Sequence, residues 1–344
     1  MRLLIITQKM DKNDPILGFF HRWVADFSKQ FESIVVICLE KGACDLPPNV
    51  RVLSLGKEEG KSRLKYISRF YSYIWSERKN YDAVFVHMNQ EYVLLGGIFW
   101  KIFSKHVYMW RNHHSGSFLT DIAASFCKKV FCTSKYSYTA KYKKTLFMPV
   151  GIDTNIFKQN VLIERIPRSV LFLGRIAPVK KPDFLIRILA DMARKKGLFS
   201  ATIVGDPLSK DIKYYESLKK LVQEKGLKNK IAFEAGVPNN QTPAIYSAHE
   251  IFINLSSSGM YDKTIFEAMA CESLALASNK NLHGLVDDRF IFEEGNAKEF
   301  EAKLGYLLSL ESSQKRSFGK EFRRITIENH SLESLALKLK ENIV

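Results

Sequence analysis

The sequence predicts an α/β protein built from two Rossmann-like, doubly wound domains. Short, nearly continuous apolar runs alternate with helix-period segments; the alternation stops near residue 150 and starts again; and the glycines and cations of the second half stand just after its apolar runs. Near-continuous apolar runs suit strands covered on both faces, and a helix after each strand is the connection that parallel neighbours need. A chain of 344 residues is long enough for two cores of ordinary size.

In the first half, strands are expected at 3–7, 33–39, 83–87, 106–110 and 130–133, with crossover helices at 18–31, 62–78, 91–103 and 117–127. The pattern breaks at MPVGIDTNIFKQN, where Pro149 and Gly151 punctuate the chain and residues 158–167 keep no period. This divides the chain into domains at 1–155 and 156–330. The second half is expected to have strands at 169–173, 201–204, 231–233, 251–255 and 274–277, with helices at 182–195, 210–225, 243–248 and 263–270. The tail from 297 to 344 reads as helical, and its last part, 331–344, as a helix packing back on the first domain.

Ligands of open parallel sheets lie beyond the carboxyl ends of the strands. In the second half those positions are held by GRIAPVKK, GDP, EAGVPNN and SSSGMYDK. The last of these runs into a helix, GMYDKTIFEAMACES, whose first N–H groups lack partners and whose dipole is positive at that end. That arrangement favours a phosphate. Arg175 offers a planar fork of donors and Lys180 a compact cation, both suited to phosphate oxygens. The expected site is a diphosphate cradle in a crevice facing the first domain, which contributes the loop after its first strand, with Gly18, and the segment WRNHHSGS.

The two Rossmann halves, GR-x4-K after the first strand of the second half, the PVGIDTNIF linker and the EAMA helix resemble the family 4 glycosyltransferases of the GT-B fold, over nearly the whole chain. The resemblance implies that the first domain binds an acceptor and the second a nucleotide-diphosphate sugar. It further implies transfer of the sugar to an acceptor hydroxyl of a saccharide or lipid-linked glycan, with retention and without a required metal or other cofactor. Carried over by position, Arg175 and Lys180 match the basic pair at the donor diphosphate, and Glu267 the second glutamate of E-x7-E, a ribose ligand. Gly18 matches the glycine loop near the donor phosphates, and His113, with His114 as its rival, the histidine touching the transferred sugar. Gly174 and the backbone of Gly236 and Val237 complete the donor set. The chain departs from the pattern at Gly259, where the first motif glutamate is absent; Lys263 and Thr264 are expected to compensate with a cation and a hydroxyl.

The net charge of +16 is uneven: residues 1–160 hold 24 Lys/Arg against 13 Asp/Glu. Such a field attracts polyanions. The run KSRLKYISRFYSYIWSERK combines six Lys/Arg with aromatics at helical spacing, which suits either an ordinary crossover helix or a helix at an anionic membrane surface. Nucleic acid would be a third partner, but no recognised binding module accompanies the charge. Five cysteines without CxxC spacing read as reduced, mostly buried thiols. The start, MRLLIITQKMDKNDP, lacks the features of a signal peptide, and the longest helix-like apolar stretch, 92–100, is under half of the roughly 20 residues that span a bilayer. The expected location is the cytoplasm, with the inner face of the membrane as the surface a basic first half would reach. Other readings of the same architecture are a sugar-nucleotide epimerase and a non-catalytic protein that binds membranes or nucleic acid.

Overall fold

In a computed structural model of the chain, which describes residues 1–14, 16–60 and 62–344, the alternation becomes two separate parallel sheets. The first contains β1 (Arg2–Met10), β2 (Ser33–Lys41), β3 (Val50–Ser54), β4 (Ala83–His87), β5 (His106–Trp110), β6 (Cys127–Cys132) and β7 (Thr145–Phe147) in the order 3-2-1-4-5-6-7. Its helices are α1 (Gly18–Phe27), α2 (Arg63–Ser76), α3 (Gln90–Ile102) and α4 (Phe118–Phe126). The second sheet contains β8 (Ile166–Leu173), β9 (Ser200–Val204), β10 (Ile231–Glu234), β11 (His249–Asn254) and β12 (Leu274–Ala277) in the order 10-9-8-11-12. Around it lie α5 (Pro182–Arg194), α6 (Ile212–Glu224), α7 (Thr242–Ala248), α8 (Lys263–Ala270), α9 (Ala297–Ser309) and α10 (Ser312–His330).

The chain divides into one unit of Met1–Gly151 with Leu332–Val344, and a second of Ile152–Ser331. Alternation along β1 shows how the first unit is layered. Leu3 and Ile5 point into a core shared with Phe20, Trp23 and Phe27 of α1, while Leu4 and Ile6 point into one shared with Phe70 and Ile74 of α2 and Val93 and Trp100 of α3. The last helix, α11 (Leu332–Asn342), belongs to the first core, where Leu335, Ala336 and Leu339 are buried beside α1. The Trp23 indole N–H donates to the carbonyl of Gly151 at 2.9 Å, tying that core to the point where the chain leaves it.

Two strands appear that the sequence reading omits. β3 is an edge strand with no fully buried residue, and β7 has only three residues, none of them buried. Neither carries the apolar run that marks a strand covered on both faces. The helical tail is three helices, interrupted before Ser312 and at Ser331. All five cysteines are free, four buried and Cys44 half-buried, and no described helix is long and apolar enough to cross a membrane.

Because Leu335 is wholly enclosed, Leu335→Ala should cost about 2–5 kcal/mol in urea unfolding. Leu337→Ala, on the half-exposed side of the same helix, should change it by less than about 0.5 kcal/mol.

Candidate functional site

In the second unit, β8 and β11 are neighbours whose connections leave in opposite directions, to β9 on one side and β12 on the other. The strand order therefore reverses between them, which is where doubly wound sheets bind ligands. The loops 174–181 and 255–262 flank this point.

The loop after β8 starts with backbones pressed together. Gly174 and Gly205 have φ of 154° and 148°, and a Cβ on Gly205 would lie 2.0 Å from the Gly174 carbonyl oxygen. Only glycine fits. Gly174 N–H donates to Val204 O and Gly205 N–H to Glu234 O, so the ladder of β8, β9 and β10 runs past the strand ends and fixes where Arg175 begins. The Arg175 side chain is exposed and, among the described residues, makes no hydrogen bond or ion pair.

Lys180 is differently placed. Its ammonium donates to Ser256 Oγ at 2.9 Å and pairs with the carboxylate of Asp262. Asp262 is the N-cap of α8. Its Oδ2 also accepts Ser256 Oγ (2.8 Å) and Asn254 Nδ2 (3.1 Å), while Oδ1 accepts the Thr264 hydroxyl (2.9 Å) and backbone N–H (3.3 Å). Burial alone would raise the Asp262 pKa, but the Lys180 charge and the hydrogen bonds from Lys180, Ser256 and Asn254 hold it well below the usual carboxylate range. The sequence reading treats Lys180 and Thr264 as phosphate donors. In the structure both are engaged by a carboxylate of the chain itself, and the start of α8 is capped internally.

The turn containing Gly259 is roped to residues 279–281. Asn279 Nδ2 donates to Met260 O, Asn281 Nδ2 to Ser258 O, and the Tyr261 hydroxyl to Asn281 O, at 2.7–2.8 Å. Gly259 itself is buried, and Lys263 is the first residue of α8. One turn further, Glu267 is only 3% exposed; its carboxylate accepts Asn239 Nδ2 (3.1 Å) and the hydroxyl of fully buried Tyr246 (3.3 Å). Asn239 follows exposed Gly236 and half-buried Val237 after β10, so Glu267 fastens that loop to α8.

The remaining candidates lie in the first unit. Gly18 opens α1, where a Cβ would stand 3.1 Å from Lys12 O, a tight approach to the preceding loop. His113 follows β5; its Nδ1 accepts the Ser115 N–H at 3.0 Å, and its ring stacks on His114 with centroids 4.4 Å apart. His87 is buried, stacked on Phe20 at 3.8 Å, with Nδ1 3.2 Å from Thr7 Oγ1. Asn254, Ser256 and Asp262 are the polar residues that sequence reasoning missed as a group. The available signal was an N-cap aspartate beside a strand that ends in Asn.

Two parallel sheets, with a cationic loop and a capped helix at the switch point of the second, define a doubly wound α/β protein with a ligand position beyond its strand ends. The sequence model for glycosyl transferases group 1 matches residues 153–324, half of the chain, and the protein belongs to that family. It is 26% identical over 113 residues to the D-inositol 3-phosphate glycosyltransferase of Frankia alni, covering 32% of this chain and 28% of that one. It is 31% identical over 147 residues to the enzyme of the same name from Thermomonospora curvata, covering 37% and 34%. The matched part is thus about a third of those relatives' length. Among solved structures, Anabaena Alr3699/HepE in complex with UDP superposes with a TM-score of 0.79 over 99% of both chains at 18% identity. Sucrose-phosphate synthase from Thermosynechococcus elongatus gives 0.79 at 14% identity, over 99% of this chain and 98% of that one. At such identities the likeness establishes the GT-B fold.

Asp262→Ala removes the cap of α8, which alone is worth about 0.5–2 kcal/mol, together with the acceptor of Lys180, Ser256 and Asn254, so the loss in urea unfolding should exceed that of the cap. A pH effect arises behind the same turn, where His330 is buried against Phe266 (4.1 Å) and Tyr261 (5.2 Å) and burial lowers its pKa to about 3. The unfolded chain protonates this imidazole near pH 6.5 while the folded one stays neutral, so its contribution is full above about pH 6.5 and is lost as pH falls toward 3. Over that window stability should fall by about 1.4 kcal/mol per pH unit from this group, and thermal melts of His330→Gln should lack that part of the slope.

Proposed function

We propose that this protein is a retaining, family 4 hexosyltransferase that moves a sugar from a nucleotide-diphosphate donor to a hydroxyl of a saccharide or lipid-linked glycan, in polysaccharide or glycoconjugate assembly. One observation carries the reading: at the switch point of the second sheet, Arg175 is held at a glycine-fixed strand end with its guanidinium exposed and uncompensated. The UDP and UDP-glucose complexes of Anabaena Alr3699/HepE support a nucleotide sugar as donor.

As the bond from the anomeric carbon to the β-phosphate oxygen breaks, its electron pair passes to that oxygen, and preorganised positive charge is what lowers the barrier. Arg175 supplies a bidentate fork with no partner among the described residues to give up. Lys180, fixed in direction by Ser256 and Asp262, supplies a second cation whose charge is largely balanced in the resting site. The acceptor oxygen bonds to the anomeric carbon on the face the phosphate leaves, and its proton goes to the departing phosphate oxygen, so no protein base is assigned. No metal is required in this scheme. Gly236 and Val237 offer backbone groups to the base. Glu267 acts on the ribose side chiefly by holding the Asn239 loop. For Gly18 and His113, in the first unit, the roles proposed are those that the family resemblance implies.

Arg175→Ala should lower turnover at least tenfold, up to about 10²–10³-fold, with an unchanged circular dichroism spectrum. Incubation with labelled UDP- and GDP-sugars and a glycan acceptor is the direct assay. Turnover of the variant within about threefold of the parent would overturn the cradle. Conversion of the donor, without any acceptor, into an epimer that still carries its nucleotide would replace transfer by epimerisation.

A further inference from the structure

The first unit carries a surface that its own packing leaves uncovered. Along α2, Leu64, Ile67, Tyr71 and Trp75 recur at spacings of three and four and form one stripe. Leu64 is 83% and Trp75 57% exposed, while Phe70 and Ile74 are buried. On α3, Val93, Gly96 and Trp100 are buried, yet Ile98 and Ile102 on the outer side are 58% and 70% exposed. A helix that is apolar all round is ordinarily enclosed. The Tyr71 ring meets Phe99 at 5.2 Å and Trp75 meets Phe103 at 5.7 Å, so the two stripes join into one patch instead of scattering as single residues.

The rim of the patch is cationic. Arg63 and Lys101 are exposed, and the Arg78 guanidinium lies 4.4 Å over the Trp75 ring. Lys65 and Arg69, by contrast, are matched by Glu59. Apolar and aromatic side chains bordered by cations are the two elements of an interfacial lipid-binding surface: the rings insert at the headgroup boundary and the cations meet phosphates. We propose that the α2–α3 face docks on an anionic lipid bilayer. Charge favours this occupant over a second copy of the chain, because a two-fold interface sets the same patch against itself and would oppose cation to cation. The proposal is independent of the transfer reaction, and its test needs neither donor nor acceptor.

The test is co-sedimentation of the full chain with phosphatidylcholine vesicles that contain or lack phosphatidylglycerol. The protein should pellet with the anionic vesicles only, less so as salt rises. Trp75 provides a second readout, since Trp23, Trp100 and Trp110 are buried: emission should shift to the blue and be quenched by brominated lipid. The exposed double substitution Ile98→Glu with Ile102→Glu should lower vesicle binding at least about tenfold with an unchanged melting curve. Failure of the parent protein to bind, equal binding to neutral vesicles, or undiminished binding of the variant would overturn the proposal. So would a stable dimer that the same substitutions dissolve.

Discussion

The site of the second unit hangs on one carboxylate. Asp262 receives hydrogen bonds from the end of β11 (Asn254), the loop after it (Ser256), the first turn of α8 (Thr264) and the loop after β8 (Lys180). Four pieces of chain are fixed to one anion at a helix N-terminus, where the dipole favours negative charge. An arrangement in which every donor is already satisfied loses little freedom when a ligand arrives, the condition for electrostatic preorganisation.

That carboxylate also decides where positive charge remains. Lys180 and Asp262 balance each other, so the excess falls on Arg175, whose position is set by the glycine contact between residues 174 and 205. A rigid strand end holding an exposed guanidinium and a neutralised pair holding a helix start are complementary: one attracts, the other shapes. Glu267 adds a second fastening on the same helix, joining α8 to the loop after β10 through Asn239. The loops after three of the strands are thereby linked by side-chain contacts to the start of one helix.

Much of this was legible in the sequence, for a physical reason. Central strands such as β1, β4 and β11 are buried along nearly their whole length and write themselves as continuous apolar runs. β3 and β7 lie at the margins of their sheet, are only partly covered, and leave no such trace. The glycines and cations after the strands were visible because their spacing is local. The partnership of Lys180 with Asp262 was not, since the two stand 82 positions apart and a capping aspartate reads the same whether or not a lysine reaches it. Glu267 was visible as a residue, but its burial against Asn239 and Tyr246 depends on a loop whose path no periodicity records.

The return of α11 to the first unit has a consequence for how the molecule is made. Met1–Gly151 emerges from the ribosome first, yet Phe20, Trp23 and Phe27 share their core with Leu335, Ala336 and Leu339, which are translated only after the whole of Ile152–Ser331. Domains generally complete folding in the order of synthesis. Here the earlier-made half keeps an apolar seam open until the later half has been produced, so the contiguous Ile152–Ser331 segment can reach its native state first and the nascent amino-terminal half is the part that needs shielding.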